Sequence, residues 1–201
     1  MAVINVKEKV IECKLVYYGP GRGGKTTNLE YIYKAGRKYA TSEMVSINTR
    51  GDRTLFFDFL PIGIGQIGGY DVKVQLYTVP GQAKYNSTRK LVLKNVDGIV
   101  FVADSFNVRR DANILSLKNL QQNLAEMNTS ILKIPLVFQF NKRDLIDNGV
   151  PIMPVRLMEK EMNSKLKVPS FKASALKGMG VASTLKECLT LTLRNIRKDL
   201  T

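Results

Sequence analysis

Eight residues early in the chain have the types and spacing of a loop that holds phosphate groups. The sequence GPGRGGKT at residues 19–26 fits the pattern GxxxxGK[ST] and stands between an apolar run and a segment of helical period. Glycines let backbone N–H groups face an anion, Lys25 can hold β- and γ-phosphates, and the Thr26 hydroxyl can ligate Mg²⁺. The alternative is a Gly-rich turn without a ligand. The predicted nucleotide contacts are Gly19, Gly21, Arg22, Gly23, Gly24, Lys25, Thr26 and Thr27.

A second motif, NKRD at residues 141–144, follows another apolar strand and bears on which base is bound. A carboxylate at Asp144 can accept from both the N1–H and the exocyclic amine of guanine, whereas adenine has no such donor pair on that edge. Asn141 can tie this loop to the phosphate loop, and the stem of Lys142 can lie over the base. Taken alone, the motif would be a charged turn; with the phosphate loop upstream, it predicts guanine.

A third segment, Ser174, Ala175 and Leu176, follows the last predicted strand. A backbone N–H of Ala175 or Leu176 can donate to guanine O6. This signal is weak by itself, since a simple strand end would have the same sequence.

Hydrolysis of a triphosphate needs a positioned water and added positive charge. Gln82 is the candidate that orients the water, and the Gly81 N–H would meet the γ-phosphate. Thr54 is the candidate second hydroxyl ligand of Mg²⁺, beside Thr26, and Arg53 the candidate arginine supplied in cis. The alternatives are that Arg53 is a surface charge and that Thr54 only begins a strand.

The composition limits the other possible chemistries. The chain has no His, which excludes Ser-His and Cys-His nucleophiles, and its two cysteines, Cys13 and Cys188, are expected in the core. The net charge of +14 is spread along the chain without a block of five like charges, which favours acidic protein partners over nucleic acid. No apolar run is long enough to span a membrane, and no lipidation signal is found, so we expect a cytoplasmic protein without a direct membrane anchor.

The elements that must position these residues alternate between buried strands and helices. Predicted strands cover Val10–Tyr18, 54–61, 71–79, Gly98–Asp104, 135–140 and 171–173, and predicted helices cover Lys25–Ala35, 109–127, 155–166 and Val181–Lys198. The second and third strands form an antiparallel hairpin whose loose turn contains Gly63, Gly65, Gly68 and Gly69. The pattern predicts one α/β domain over residues 1–201: a mostly parallel sheet with one antiparallel edge strand, helices on both faces, and the ligand at the carboxyl ends of the strands.

With these residues assembled, the chain resembles the Ras-like small GTPases along almost its whole length, and within them the bacterial MglA-type branch. The specific likeness lies in YYGPG at 17–21, RTLFFDFLP at 53–61, LYTVPGQ at 76–82 and DGIVFVADS at 97–105. The resemblance implies a GTP-on, GDP-off switch for gliding motility or cell polarity that is recruited to the cell pole. It also implies an activating partner, a roadblock-fold MglB-like homodimer, and catalytic roles for both Arg53 and Gln82. In that branch the second strand can shift register between nucleotide states.

One departure from the Ras-like pattern affects the metal. Thr78 stands where most Ras-like proteins have an Asp that helps to hold the Mg²⁺ shell. We hypothesise that Asp58 or Asp52 supplies the missing carboxylate.

Two other functions remain open from the sequence. A nucleotide-locked scaffold would bind GTP and recruit effectors without significant turnover. A metabolic P-loop kinase would need a lid-like Arg cluster or an acceptor pocket, and no such feature is evident in the sequence.

Overall fold

The computed structural model describes residues 3–48 and 56–198, and within them a single sheet carries all the named strands. The strands are β1 Val3–Asn5, β2 Val10–Tyr18, β3 Val45–Asn48, β4 Phe56–Ile67, β5 Tyr70–Thr78, β6 Gly98–Asp104, β7 Leu136–Asn141 and β8 Ser170–Lys172. The helices are α1 Lys25–Ala35, α2 Asn86–Leu93, α3 Arg110–Glu126, α4 Val155–Met158, which continues as a π-helical turn Glu159–Asn163, and α5 Val181–Lys198.

The sheet has the strand order β3-β4-β5-β2-β6-β7-β8, and β1 pairs with the start of β2. Strands β5, β2, β6, β7 and β8 are parallel, whereas β4 is antiparallel to β5 and β3 to β4. Every residue of β6 and β7 is buried, as expected for parallel strands covered on both faces. The predicted α/β fold is confirmed.

Alternate side chains of the central strands supply two cores, one on each face of the sheet. On one face Val16 and Phe101 pack with Leu120 of α3. On the other face Leu15 and Val102 belong to the core that includes Leu29 of α1 and Cys188 and Leu189 of α5. Cys13 and Cys188 are both buried free thiols, as the sequence predicts.

The hairpin of β4 and β5 differs from its predicted form. Gly63 and Gly65 lie inside β4, where the register against β5 shifts between Gly63 and Gln66. Gly65 has a φ of +91°, which an L side chain rarely adopts, so it accommodates the irregular pairing without strain. Only Gly68 and Gly69 form the turn, and the prediction of a loose turn with four glycines is therefore wrong.

Three elements are absent from the sequence-based assignment: β1, β3 and α2. The predicted helix over 155–166 is shorter than expected, because it becomes a π-helical turn after Met158 and ends at Asn163. Among the described residues no helix is both long and apolar enough to cross a membrane.

Candidate functional site

The loop between β2 and α1 lies against the ends of two other strands. The φ angles of Gly19 and Gly24 are +144° and +96°, and a Cβ on Gly19 would stand 2.2 Å from the carbonyl oxygen of Val102. The loop encloses a cavity of about 460 Å³, together with the end of β5 and the start of β4. Its walls include Gly21, Arg22, Gly23, Gly24, Lys25, Thr26, Thr27, Asp58, Thr78, Gly81 and Lys142.

Lys25 is buried and lines this cavity. Its Nζ donates to the carbonyl oxygens of Gly19 and Pro20, at 3.0 and 2.7 Å. Burial, and after it the nearby positive charge of Arg89, lower the pKa of Lys25 to about 7. An anion beside this ammonium would stabilise the protonated form, so the site fits a phosphate group.

The hydroxyl of Thr26 contacts a carboxylate of β4. Thr26 Oγ1 donates to Asp58 Oδ2 at 2.6 Å, and Thr78 Oγ1 donates to the same oxygen at 2.8 Å. Ser46 Oγ donates to Asp58 Oδ1 at 2.8 Å. Hydroxyl and carboxylate oxygens are the ligands that Mg²⁺ prefers, and the Mg²⁺ of nucleotide sites usually has one or two protein ligands with phosphates and water. These residues therefore fit the metal.

Asn141 joins the three predicted nucleotide-binding segments. Its Nδ2 donates to the Gly23 carbonyl oxygen at 2.8 Å, and its Oδ1 accepts from the Ala175 N–H at 2.8 Å. Because Asn141 is fully buried, both bonds are shielded from water. The Ala175 amide has this partner, so the two candidates for the O6 donor, Ala175 and Leu176, are no longer equivalent.

The other residues predicted to lie near the base are Lys142 and Asp144, in the NKRD motif, and Ser174. Lys142 has a left-handed backbone, with φ of +65°, and its Nζ donates to Asp104 Oδ2 at 2.8 Å. Asp144 is half-buried in the 3₁₀ segment Arg143–Asn148. Ser174 is buried, and its Oγ accepts from the Lys177 N–H.

The loop after β5 is held close to the phosphate loop. A Cβ on Gly81 would stand 2.1 Å from the Gly21 nitrogen. Buried Arg89 of α2 donates to the carbonyl oxygens of Pro80 and Gln82, at 3.2 and 2.5 Å. Gln82 borders a second cavity of about 600 Å³. Arg53, Thr54 and Asp52 lie outside the described residues.

These loops occupy the carboxyl ends of parallel strands, where the sequence predicts the ligand. The family model described as the Ras family matches residues 14–194. The chain belongs to the Ras family. Members of the Ras family are small GTPases that bind guanine nucleotides and Mg²⁺, and this chain is a GTPase enzyme.

A curated relative supports the same assignment over the whole Ras domain. The chain is 48% identical over 198 residues to the mutual gliding-motility protein MglA of Myxococcus xanthus (strain DK1622). The matched region covers 98% of this chain and 99% of the relative.

Three residues of this Ras-family site were not predicted from the sequence: Ser46, Arg89 and Arg109. Ser46 and Arg89 make the contacts described above, and Arg109 Nη2 donates to the Gly21 carbonyl oxygen at 2.7 Å. No motif contains these residues. Their contacts depend on the pairing of β3 with β4 and on the packing of α2 and α3.

Proposed function

We propose that this Ras-family GTPase is a molecular switch that binds GTP and GDP with Mg²⁺, hydrolyses GTP to GDP and phosphate, and controls gliding motility or cell polarity. The observation that supports this proposal most directly is the buried Asn141 side chain of the NKRD motif, which is hydrogen-bonded both to the phosphate loop and to the 174–176 segment. The relative that is named for gliding motility supports the cellular role.

The nucleotide would lie across these three segments. The N–H groups of the 19–27 loop and Lys25 hold the phosphates, and Asp144 accepts from the guanine edge. The Lys142 stem covers the base. The O6 donor is the Leu176 amide, or a shared bond from Ala175, whose N–H also bonds to Asn141.

Mg²⁺ would be held by Thr26 and, with GTP, by Thr54. Asp58 is proposed as the carboxylate that replaces the acidic residue missing at Thr78, because its Oδ2 accepts from both Thr26 and Thr78. The metal, when bound, neutralises charge on the phosphates.

For hydrolysis, Gln82 would orient the attacking water and the Gly81 N–H would meet the γ-phosphate. Arg53 would add positive charge in cis, as arginine fingers do in related GTPases. This chain would thus supply both the residue that orients the water and the positive charge. An activating partner would reposition Gln82 and Arg53 without donating an arginine of its own.

The partners proposed are a roadblock-fold, MglB-like homodimer that activates hydrolysis, and motility or polarity effectors. The net charge of +14 favours effectors with acidic surfaces. Recruitment to the cell pole would then follow from these partners.

The test of the nucleotide assignment compares two Asp substitutions in one loop. Asp144→Ala should weaken GDP binding about 100-fold or more, because it removes the carboxylate that accepts hydrogen bonds from the guanine edge and leaves those donors without a partner. Asp147→Ala removes an exposed carboxylate that pairs with Lys177, and it should leave binding unchanged. Titration with fluorescent GDP and ADP would measure both affinities. Unchanged preference for GDP in Asp144→Ala would contradict the proposal.

A nucleotide-locked scaffold without turnover is the second candidate function. Single-turnover phosphate release, with and without a roadblock-fold protein, separates it from the switch. The switch requires acceleration by that protein, with the acceleration lost in Gln82→Ala and in Arg53→Ala. Release at the same slow rate in all samples would favour the scaffold.

A further inference from the structure

Two cavities meet at the phosphate loop and share one wall. Lys25 and Thr26 line the 460 Å³ cavity, and Gln82 lines the 600 Å³ cavity. Both are bordered by the backbone of Gly21 and Gly81. If the phosphates lie in the first cavity and the water oriented by Gln82 lies in the second, the terminal phosphate of a nucleoside triphosphate lies at this shared wall.

Arg109 lies beside the shared wall. It ends the 3₁₀ segment Asn107–Arg109, immediately before α3, and it borders the cavity of Gln82. Its Nη2 donates to the Gly21 carbonyl oxygen at 2.7 Å. The guanidinium therefore stands directly beside the phosphate loop.

A further hydrogen-bond donor of Arg109 is its Nε. Its Nε is buried and finds no hydrogen-bond partner among the residues that the structure describes. The nearest carboxylate oxygen, Asp104 Oδ2, is 3.8 Å from Nε and already accepts from Lys142 Nζ at 2.8 Å. A buried donor without a partner is unfavourable, so an added acceptor at this place would be stabilised.

The charge of Arg109 reaches the phosphate cavity. It contributes to the lowered pKa of Lys25, after burial and Arg89. The same field that disfavours a second cation at Lys25 attracts an anion of high charge density, such as a terminal phosphate.

We propose that Arg109 recognises the γ-phosphate and thereby distinguishes GTP from GDP. The inference rests on the proposed function, because it assumes that the phosphates lie along the 19–27 loop. Arg109 is a specificity-determining residue in this proposal, separate from Gln82 and from Arg53. Its contribution is a charged donor that only the triphosphate can use.

The next residue, Arg110, provides a matched control. Its side chain is exposed and forms an ion pair with Glu161, away from the phosphate loop. Arg110→Ala removes the same charge from the adjacent position. It should therefore leave the affinities for both nucleotides unchanged.

The experiment measures affinities for GDP and for a non-hydrolysable GTP analogue by titration with fluorescent nucleotides. Arg109→Ala should lower the affinity for the GTP analogue about tenfold more than the affinity for GDP, as expected when a charge-assisted hydrogen bond is lost. Arg109→Gln, which keeps a donor for the Gly21 carbonyl without the charge, should show the same selective loss. This second variant also keeps the test valid if the alanine variant folds poorly.

Two results would overturn the proposal. Equal losses for GDP and the GTP analogue would mean that Arg109 only braces the phosphate loop through Gly21, and unchanged affinities would mean that it has no role in binding. Failure of the unsubstituted protein to bind GDP would instead refute the proposed function. The two failures are thus distinguishable.

Discussion

At the scale of single residues, Lys25 combines deep burial with a role that requires charge. Its pKa in the nucleotide-free protein is lowered to about 7, first by burial and then by Arg89. A bound phosphate would favour the protonated form and raise that pKa. Between the two pKa values the complex therefore binds one more proton than the free protein, and nucleotide affinity must fall as pH rises.

We expect GDP affinity to fall between pH 7.5 and pH 9, by at most about tenfold per pH unit, with uptake of about one proton. Calorimetric titration in buffers of different protonation enthalpy would measure the proton uptake. Lys25→Arg should bind GDP without this dependence, because arginine stays protonated throughout the range. The same pH dependence in both proteins would assign the titration to another group.

Asp58 is the residue on which the proposed metal site depends most. Asp58→Asn keeps the shape but removes the charge next to Thr26, so the Mg²⁺ concentration needed to retain GDP should rise about 10- to 100-fold. GDP release in a series of Mg²⁺ concentrations would measure this. Asp71→Asn, on an exposed strand position, serves as the control. A normal Mg²⁺ requirement in Asp58→Asn would rule out its proposed role.

The sequence predicts the part of the site that lies within short motifs. The 19–26 loop, Asn141 and Gln82 could be selected because their chemistry depends on spacing along the chain. Asp58 could be named only as one of two carboxylates, since its closeness to Thr26 depends on the pairing of β4 with β5. Arg109 could not be selected at all, because its hydrogen bond joins residues 88 positions apart.

At the scale of elements, the loop between β5 and α2 is held on one side by Arg89 and on the other by contact with the phosphate loop. A methyl group at Gly81 would stand 2.1 Å from the Gly21 nitrogen and 2.5 Å from the Pro20 carbonyl carbon. Backbone atoms cannot rotate away as side chains do. The loop, and Gln82 with it, would have to move.

Gly81→Ala should therefore lower the single-turnover rate of GTP hydrolysis about 100-fold, which is the usual cost of a displacement near 1 Å in a catalytic group. Gly63→Ala is the control, because its new methyl would make only ordinary contacts, at 3.7 Å and beyond. Equal rates in the two variants would mean that the loop tolerates the displacement.

The elements that were not predicted from the sequence lack a local pattern that would reveal them. The strands β1 and β3 have only three and four residues, so their conformation depends on pairing with β2 and β4 and not on a local hydrophobic pattern. Helix α2 begins with Asn86, Ser87 and Thr88, which are poor helix formers, and it buries the polar side chains of Thr88 and Arg89. Strands β6 and β7 and helix α5, by contrast, have long apolar patterns that determine them locally.

At the scale of the whole molecule, the two cores share the strands of a single sheet. Val16 and Tyr18 face one core, while Leu15 and Tyr17 face the other. Neither core can be lost without exposing the strands of its neighbour. That residues 1–201 form one domain stays a prediction, which an unfolding experiment can test.

We therefore expect one cooperative unfolding transition in the presence of saturating GDP. Far-UV circular dichroism, which reports on the whole chain, and fluorescence of the eight tyrosines, which all lie between residues 17 and 85, should give the same midpoint. Raising the GDP concentration should move that midpoint upward, as for any ligand that binds only the native state. Two separate midpoints would indicate two domains.

The Asn141 side chain ties together positions that are far apart along the polypeptide. Its partners Gly23 and Ala175 are 118 and 34 residues away. Bringing such distant segments together requires most of the chain to be ordered first, since closure of a long loop is entropically unfavourable. A nucleotide added to a folding chain will consequently find these segments joined only when β7 and β8 have taken their places in the sheet, and guanine-nucleotide loading can report that this long-range contact has formed.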